Sequence, residues 1–250
     1  MLTEQRLNQI LTFVEEKQSA SVQELMELLN ASESTIRRDL SILDTNGQLN
    51  KVRGGAIALA SDIHTKDASL IVRKDRNKDE KMKIAKYAAS LISTNDFVYI
   101  DAGTTTELML DFITAKNVTF VTNGISHAKK LSSKGYVTYI LGGEFKHMTE
   151  AIVGLEALES LEKYNFLKGF FGTNGANIDA GFTTPDIKEA LVKKKAIEHC
   201  KEPFILCDAS KLSVVSSVSF APFNSAKVIT TKTDKAVFHN CNNLLEVDKL

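Results

Sequence analysis

The sequence predicts an α/β chain in two parts: a winged helix-turn-helix over residues 1–57 and a parallel-sheet α/β domain over 72–250, with a linker at 58–71. Three observations predict it. The stretch from Ser32 to Ala56 reads as a two-faced helix followed by a short hairpin. From Phe97 onward, short apolar runs alternate with helical patterns, the texture of a parallel sheet covered by helices on both faces. Small polar residues repeatedly follow those apolar runs.

In the first part, Leu7, Ile10, Leu11 and Val14 have helical spacing, with Thr3 as a cap. Lys17-Gln18-Ser19-Ala20 breaks that helix. Ser21-Val22-Gln23-Glu24 then fits a capping box, in which Ser21 and Glu24 satisfy each other's free backbone N–H groups. Leu25, Leu28 and Leu29 continue the second helix on its expected buried side. Asn30-Ala31 turns the chain into a third helix, which Ser32 caps. Here Ile36, Leu40 and Leu43 recur at i, i+4 and i+7 and form one apolar stripe. Ser34, Arg38, Ser41 and Thr45 fall on the opposite side, with Arg37 on its flank. Asn46-Gly47 ends the helix, because glycine tolerates the left-handed residue that closes many helices. Leu49 to Arg53 and Gly54-Gly55 read as a hairpin carrying Lys51 and Arg53.

A helix held by one side and offering hydroxyls and guanidinium groups on the other suits phosphates and base edges. Ser34, Thr35, Arg37, Arg38 and Ser41 are therefore candidate DNA contacts in the major groove, and Lys51 and Arg53 candidates for the backbone or minor groove. Glu15, Glu16, Glu24 and Glu27 leave the rest of the unit acidic, which confines binding to one face.

Composition narrows the classes. Formal net charge is zero, so no global excess of positive charge points to nucleic acid, but a local basic face is enough. No run approaches the roughly 18 apolar residues of a membrane span. The N-terminus lacks a basic region followed by an apolar run, so a cytoplasmic location is expected. Cys200, Cys207 and Cys241 lack metal-ligand spacing and fit reduced thiols. None of the five histidines has such spacing either, and neither metal nor cofactor is expected.

The segment from Leu59 to Thr65 carries no clear periodicity. Arg73 to Lys83 is dense in alternating charge and reads as the solvated start of a long helix, amphipathic through Ile84, Tyr87, Ala88 and Leu91. Strands are then expected at Phe97–Ile100, Val118–Val121, Val137–Leu141, Phe166–Phe171, Phe204–Cys207 and Val228–Thr230. Helices are expected through Leu108–Leu110, up to Leu131, from Val153 to Leu161 and from Pro185 to His199. Open α/β sheets bind ligands outside the carboxyl ends of their strands. There stand Asp101-Ala-Gly103-Thr104-Thr105-Thr106, Thr122-Asn123-Gly124, Gly142-Gly143, Gly172-Thr173-Asn174-Gly175 and Asp208-Ala-Ser-Lys211. Backbone N–H groups and threonine hydroxyls entering a helix hold anions. With Lys211 they point to a small phosphorylated ligand. Neither a Walker loop nor a dinucleotide glycine fingerprint is present.

Thr35-Ile-Arg-Arg-Asp-Leu40, then Gly47 and Val52-Arg-Gly-Gly-Ala56, resemble the signature of the DeoR family of bacterial transcriptional repressors. That family's pattern usually has His where Arg53 stands and often a basic residue at Asn50. The resemblance extends to Asp101–Thr105, Asn123, Gly142-Gly143, Gly172–Gly175, Glu189 and Asp208–Lys211, where Leu212 and Ser213 replace a usual aromatic and glycine. It implies a sensor domain like ribose-5-phosphate isomerase that has lost catalysis and responds to a phosphorylated sugar. The effector contacts it implies are Asp101, Gly103, Thr104, Thr105, Asn123, Gly143, Thr173, Asn174, Glu189, Asp208 and Lys211. Gly172–Gly175, Gly181–Asp186 and Glu189–Lys193 look most like the fructose-operon repressors of Gram-positive bacteria, implying fructose 1-phosphate.

Sugar-phosphate isomerase activity is the alternative, with Glu189 as base and Lys211 as electrophile. A fused DNA-reading unit favours sensing, so no catalytic residue is expected. One such unit makes few contacts, so a homo-oligomer, dimer or tetramer, is expected on a double-stranded operator.

Overall fold

In the computed structural model, residues 3–17, 19–46, 48–57, 63–64, 70–233 and 235–249 are described. Contacts divide the chain into two compact units, Met1–Ser61 and Asp62–Leu250.

The first unit contains α1 (Thr3–Lys17), β1 (Ser19–Ser21), α2 (Val22–Leu29), α3 (Glu33–Thr45), β2 (Asn50–Val52) and β3 (Gly55–Ile57). The capping box forms: Ser21 N–H reaches Glu24 at 2.8 Å and Glu24 N–H reaches the Ser21 hydroxyl at 3.1 Å. Asn30 ends α2 in the left-handed region at φ 46°, and Ser32 caps α3. Ile10, Val14, Leu25, Leu29, Ile36, Leu40 and Leu43 are buried together. Leu28 departs from expectation: it is 50% exposed although Leu25 and Leu29, three residues before it and one after it, are buried. Gly47 lies outside the described residues. The hairpin becomes a three-stranded antiparallel sheet, as β3 pairs with both β2 and β1. Gly55 is required there: a Cβ would stand 2.1 Å from the Ala20 carbonyl oxygen.

Most of the segment 58–71 lies outside the described residues. Within it, β4 (Ile63–His64) pairs in parallel with Val215–Ser216, and α4 (Leu70–Asp75) has already begun. The second unit therefore takes up the chain before residue 72. Next comes α5 (Lys78–Ser90), so the charged run is two helices and not one. Asn77 separates them in the left-handed region at φ 52°. It is also not simply solvated: Lys81 is 5% exposed.

The chain continues through β5 (Phe97–Ile100), α6 (Thr104–Met109), β6 (Thr119–Thr122), α7 (Ile125–Ser133) and β7 (Val137–Ile140). A hairpin of β8 (Glu144–Lys146) and β9 (Ala151–Val153) precedes α8 (Leu155–Glu162). Val153 thus belongs to a strand, contrary to the helix expected from it, and Gly154 is the break between the two. Then follow β10 (Phe166–Gly172), β11 (Gly175–Asn177), β12 (Gly181–Thr184), α9 (Ile187–Glu198) and β13 (Cys200–Leu206). The last strands are β14 (Val215–Ser216), β15 (Val218–Ala221), β16 (Lys227–Thr230) and β17 (Leu244–Glu246).

Seven strands form one parallel sheet in the order β17-β16-β13-β10-β5-β6-β7. Side chains alternate across it. Val98, Ile100 and Phe120 pack with Ile84, Ala88, Met109 and Leu131 of α5, α6 and α7. Tyr99, Val121 and Phe171 pack on the other face with Ala157, Leu161, Val192 and Ala196 of α8 and α9. From β5 the chain builds outward through β6 and β7, then returns to the other side of β5 with β10. The strand order reverses between β5 and β10, and a crevice opens there at the strand carboxyl ends.

Candidate DNA interface and effector site

In the first unit, Ser34, Arg37 and Arg38 are exposed, while Thr35 and Ser41 are half-buried. The buried stripe of α3 fixes which side faces outward. Arg37 is partly committed, since it pairs with Glu33 one turn earlier at 2.7 Å. Arg38 and Arg53 make no side-chain bond to another described residue. Lys51 reaches from β2 to the Ser41 hydroxyl at 2.7 Å, and its N–H donates to Asp44 at 2.9 Å. Sequence reasoning missed the groups that hold this arrangement. Arg6 of α1 grips the buried Asp39 with two bonds of 2.5 and 3.1 Å. Asp39 lies three residues from Ile36 and one from Leu40, so helical period alone marks it as inward-facing.

In the second unit, the crevice between β5 and β10 is closed by charge. Asp101 is buried, accepts the Gly172 N–H at 3.1 Å, and is paired with Lys193 of α9. Burial raises the Asp101 carboxyl above its ordinary range, with Lys193 opposing the rise. Lys193 also donates to the Gly172 carbonyl at 3.2 Å. Four residues before it, Glu189 accepts Lys146 at 2.8 Å and Thr149 at 2.7 Å. Burial works against the Glu189 charge, yet Lys193, Lys146 and Thr149 outweigh it and hold the carboxyl below its ordinary range.

Asn123 acts as a clamp: its Oδ1 accepts the Ala102 N–H at 2.8 Å and its amide reaches the Ile152 carbonyl at 3.4 Å. Thr173 donates to the Gly175 carbonyl at 2.7 Å, and Asn174 accepts the Thr184 hydroxyl at 3.1 Å. Gly143 is exposed at φ +136°, where a Cβ would meet the Val153 carbonyl oxygen at 2.5 Å, so the backbone demands glycine. Gly103 precedes α6 in extended backbone.

A second group surrounds Thr104, which is buried beside Thr105 at the start of α6. The Lys81 ammonium lies 3.3 Å from the Thr104 hydroxyl and donates to the Arg73 carbonyl. Burial, with repulsion from Lys211, Arg73 and Arg76, pushes Lys81 down to about 8 despite the attraction of Asp208. Asp208 accepts Asn77 at 2.9 Å and Ser210 N–H at 3.1 Å. Burial again works against its charge, but Lys211 first, then Ser210, Asn77 and Lys81, hold it below the ordinary carboxylate range. Lys211 is half-buried, and Ser213, where the family pattern has glycine, sits in the left-handed region at φ 65°. Lys193, Lys146, Asn77 and Lys81 are among the groups that sequence reasoning missed. The first belongs to a run of three lysines, in which only helical phase with Glu189 selects the inward one.

Residues 6–62 match the DeoR-like helix-turn-helix domain, and residues 76–233 the DeoR C terminal sensor domain. The chain belongs to the DeoR family. It is 45% identical over 241 residues to the uncharacterized HTH-type transcriptional regulator FruR of Bacillus subtilis (strain 168), across 96% of this chain and 95% of that one. It is 35% identical to the lactose phosphotransferase system repressor of Staphylococcus aureus (strain NCTC 8325 / PS 47), across 90% of each. Ribose 5-phosphate isomerase A from Methanocaldococcus jannaschii overlays with a TM-score of 0.40 at 16% identity, over 54% of this chain and 55% of that one. This DeoR-family protein is a DNA-binding transcriptional repressor and not an enzyme. Among the described residues, no helix of this DeoR-family repressor is long and apolar enough to cross a membrane.

Proposed function

We propose that this repressor controls a sugar-utilisation operon from the cytoplasm and that a phosphorylated sugar, fructose 1-phosphate first among candidates, is its effector. The observation that carries this is the group of cations around Thr104, namely Lys81, Lys211, Arg73 and Arg76, at the carboxyl ends of the strands. Lys211, Arg73 and Arg76 stand close enough to add their repulsion to the burial that depresses Lys81, and such a cluster invites an anion. The phosphate would lie against Thr104, Thr105, Lys81 and Lys211. The carboxylates Asp101, Glu189 and Asp208 and the amide of Asn174 would face the sugar hydroxyls. Residues near 1–57 would read DNA, with Ser34, Thr35, Arg37, Arg38 and Ser41 in the major groove and Lys51 and Arg53 at the backbone or minor groove. Two or four copies would act on repeated half-sites, and the effector changes operator affinity by binding two conformations unequally.

A thermal-shift panel of fructose 1-phosphate, fructose 6-phosphate, tagatose 6-phosphate and ribose 5-phosphate, each beside its free sugar, tests this. A ligand selective for the folded state adds about 2.7 kcal/mol at 100 times its Kd. One ester is expected to raise the melting temperature, its free sugar is not, and Lys211→Ala is expected to abolish the shift. No shift with any ester sinks the strand-end phosphate site.

The same panel has a pH signature. Lys81 titrates at about 8, so ester affinity is expected to fall as pH rises from 7 to 9, and Lys81→Met is expected to flatten that fall. Stability of the empty protein runs the other way. The unfolded lysine titrates near about 10.4, so between that value and the folded one the unfolded chain binds more protons and stability rises with pH. An affinity that stays level across this window removes Lys81 from the anion site.

A further inference from the structure

Helix α9 presents two different faces. Glu189, Lys193 and Ala196 turn inward, the first two into the charged crevice. Ile187, Leu191 and Lys194 recur at i, i+4 and i+7 on the outside, where Ile187 is 63% and Leu191 47% exposed. Helix α8 runs beside α9 in the same direction. Near their starts, Glu144 approaches Gly154 and bonds Lys188 at 2.5 Å; near their ends, Glu162 bonds Lys195 at 3.3 Å. Leu155, 67% exposed, adds to the apolar strip at the starting end.

We propose that this α8–α9 face seats the same face of a second copy of the chain. Its charge pattern selects that occupant. The exposed acids of α8 are Glu156, Glu159 and Glu162, with no base among its residues. The exposed charges of α9 are Lys188 and Lys194, with Glu198 alone opposed, and Lys195 is half-buried. Glu156, Glu159 and Lys194 make no ion pair with another described residue. A two-fold axis through the apolar strip lays α8 of each copy over α9 of the other, so that acid meets base twice. Self-complementarity of this kind is what an isologous interface requires, whereas a foreign partner needs only one sign. The inference rests on the proposed action at repeated half-sites. It also gives α9 a role in control, since the helix that holds Glu189 and Lys193 in the crevice would carry the subunit contact on its back.

Sedimentation velocity of the full chain tests this, with circular dichroism melts as a check on folding. Wild type is expected to dimerise, and Leu191→Asp to raise the dimer Kd at least about tenfold, the loss typical of a central apolar contact. Glu159→Lys and Lys194→Glu are each expected to weaken the dimer, and the double variant to restore it. A wild type that oligomerises as strongly as Leu191→Asp and both charge variants places the contact elsewhere and leaves the half-site proposal standing. A wild type that stays monomeric overturns both. Loss on Leu191→Asp without rescue in the charge pair keeps the face and discards the crossing of α8 on α9.

Discussion

Lys193→Met is expected to destabilise the second unit by about 3–5 kcal/mol, the loss that follows removal of one partner from a buried ion pair. Lys193 is 5% exposed and Asp101 1%. The truncation leaves a carboxylate between β5 and β10 with the Gly172 N–H as its remaining bond. The loss has a defined pH course. Burial already raises the Asp101 carboxyl, and without Lys193 the Gly172 N–H is left to oppose the rise. A carboxyl whose folded value stands above its unfolded one favours the fold at low pH and loses that advantage as pH rises through the folded value. The deficit is therefore expected to be smallest in acid and to grow toward pH 8 in urea melts, as the carboxyl ionises. Asp101→Leu combined with Lys193→Met, apolar groups of comparable bulk, is expected to recover much of it, because neither charge is then stranded. A single variant as stable as wild type at pH 8 would show that the pair is not sequestered from water.

Arg38→Ala is expected to cost about 1–3 kcal/mol at the operator and little on random DNA, the signature of a lost base contact. Arg37→Ala is expected to cost less, since Glu33 already holds that guanidinium. Lys51→Ala is expected to weaken binding to all sequences alike and reduce the salt slope by about one. Operator titrations at two salt concentrations separate these cases. Unchanged operator affinity for both arginine variants would refute the placement of α3 in the groove.

Much of the architecture was legible because local pattern and tertiary environment agree. The stripe Ile36, Leu40, Leu43 is buried as its period requires. Strands β5, β6, β10, β13 and β16 are covered on both sides and so read as apolar runs. The small strands β8, β9, β11, β12, β14 and β15 were not legible. They are two to four residues long; β11 and β12 carry Gly, Thr and Asn, and β14 and β15 exist through pairing with segments far along the chain. Val153 reads as helical in the sequence because the apolar positions on either side of Gly154 continue without a change of composition. In the candidate site, glycines, threonines and carboxylates at strand ends stood out together with Lys211, but Lys81, Lys146 and Lys193 did not. Lys81 and Lys193 lie within charged runs that look solvated, and their burial is set by what folds over them.

The ties within the first unit have a thermodynamic consequence. Asp44 holds the main chain of Lys51, Lys51 holds Ser41, and Arg6 holds Asp39 beneath the same helix. Helix α3 and its neighbouring hairpin are thus in place before any duplex arrives. Little ordering entropy is spent on contact, and the heat-capacity change of operator binding should scale with the area covered rather than with chain folded on the DNA.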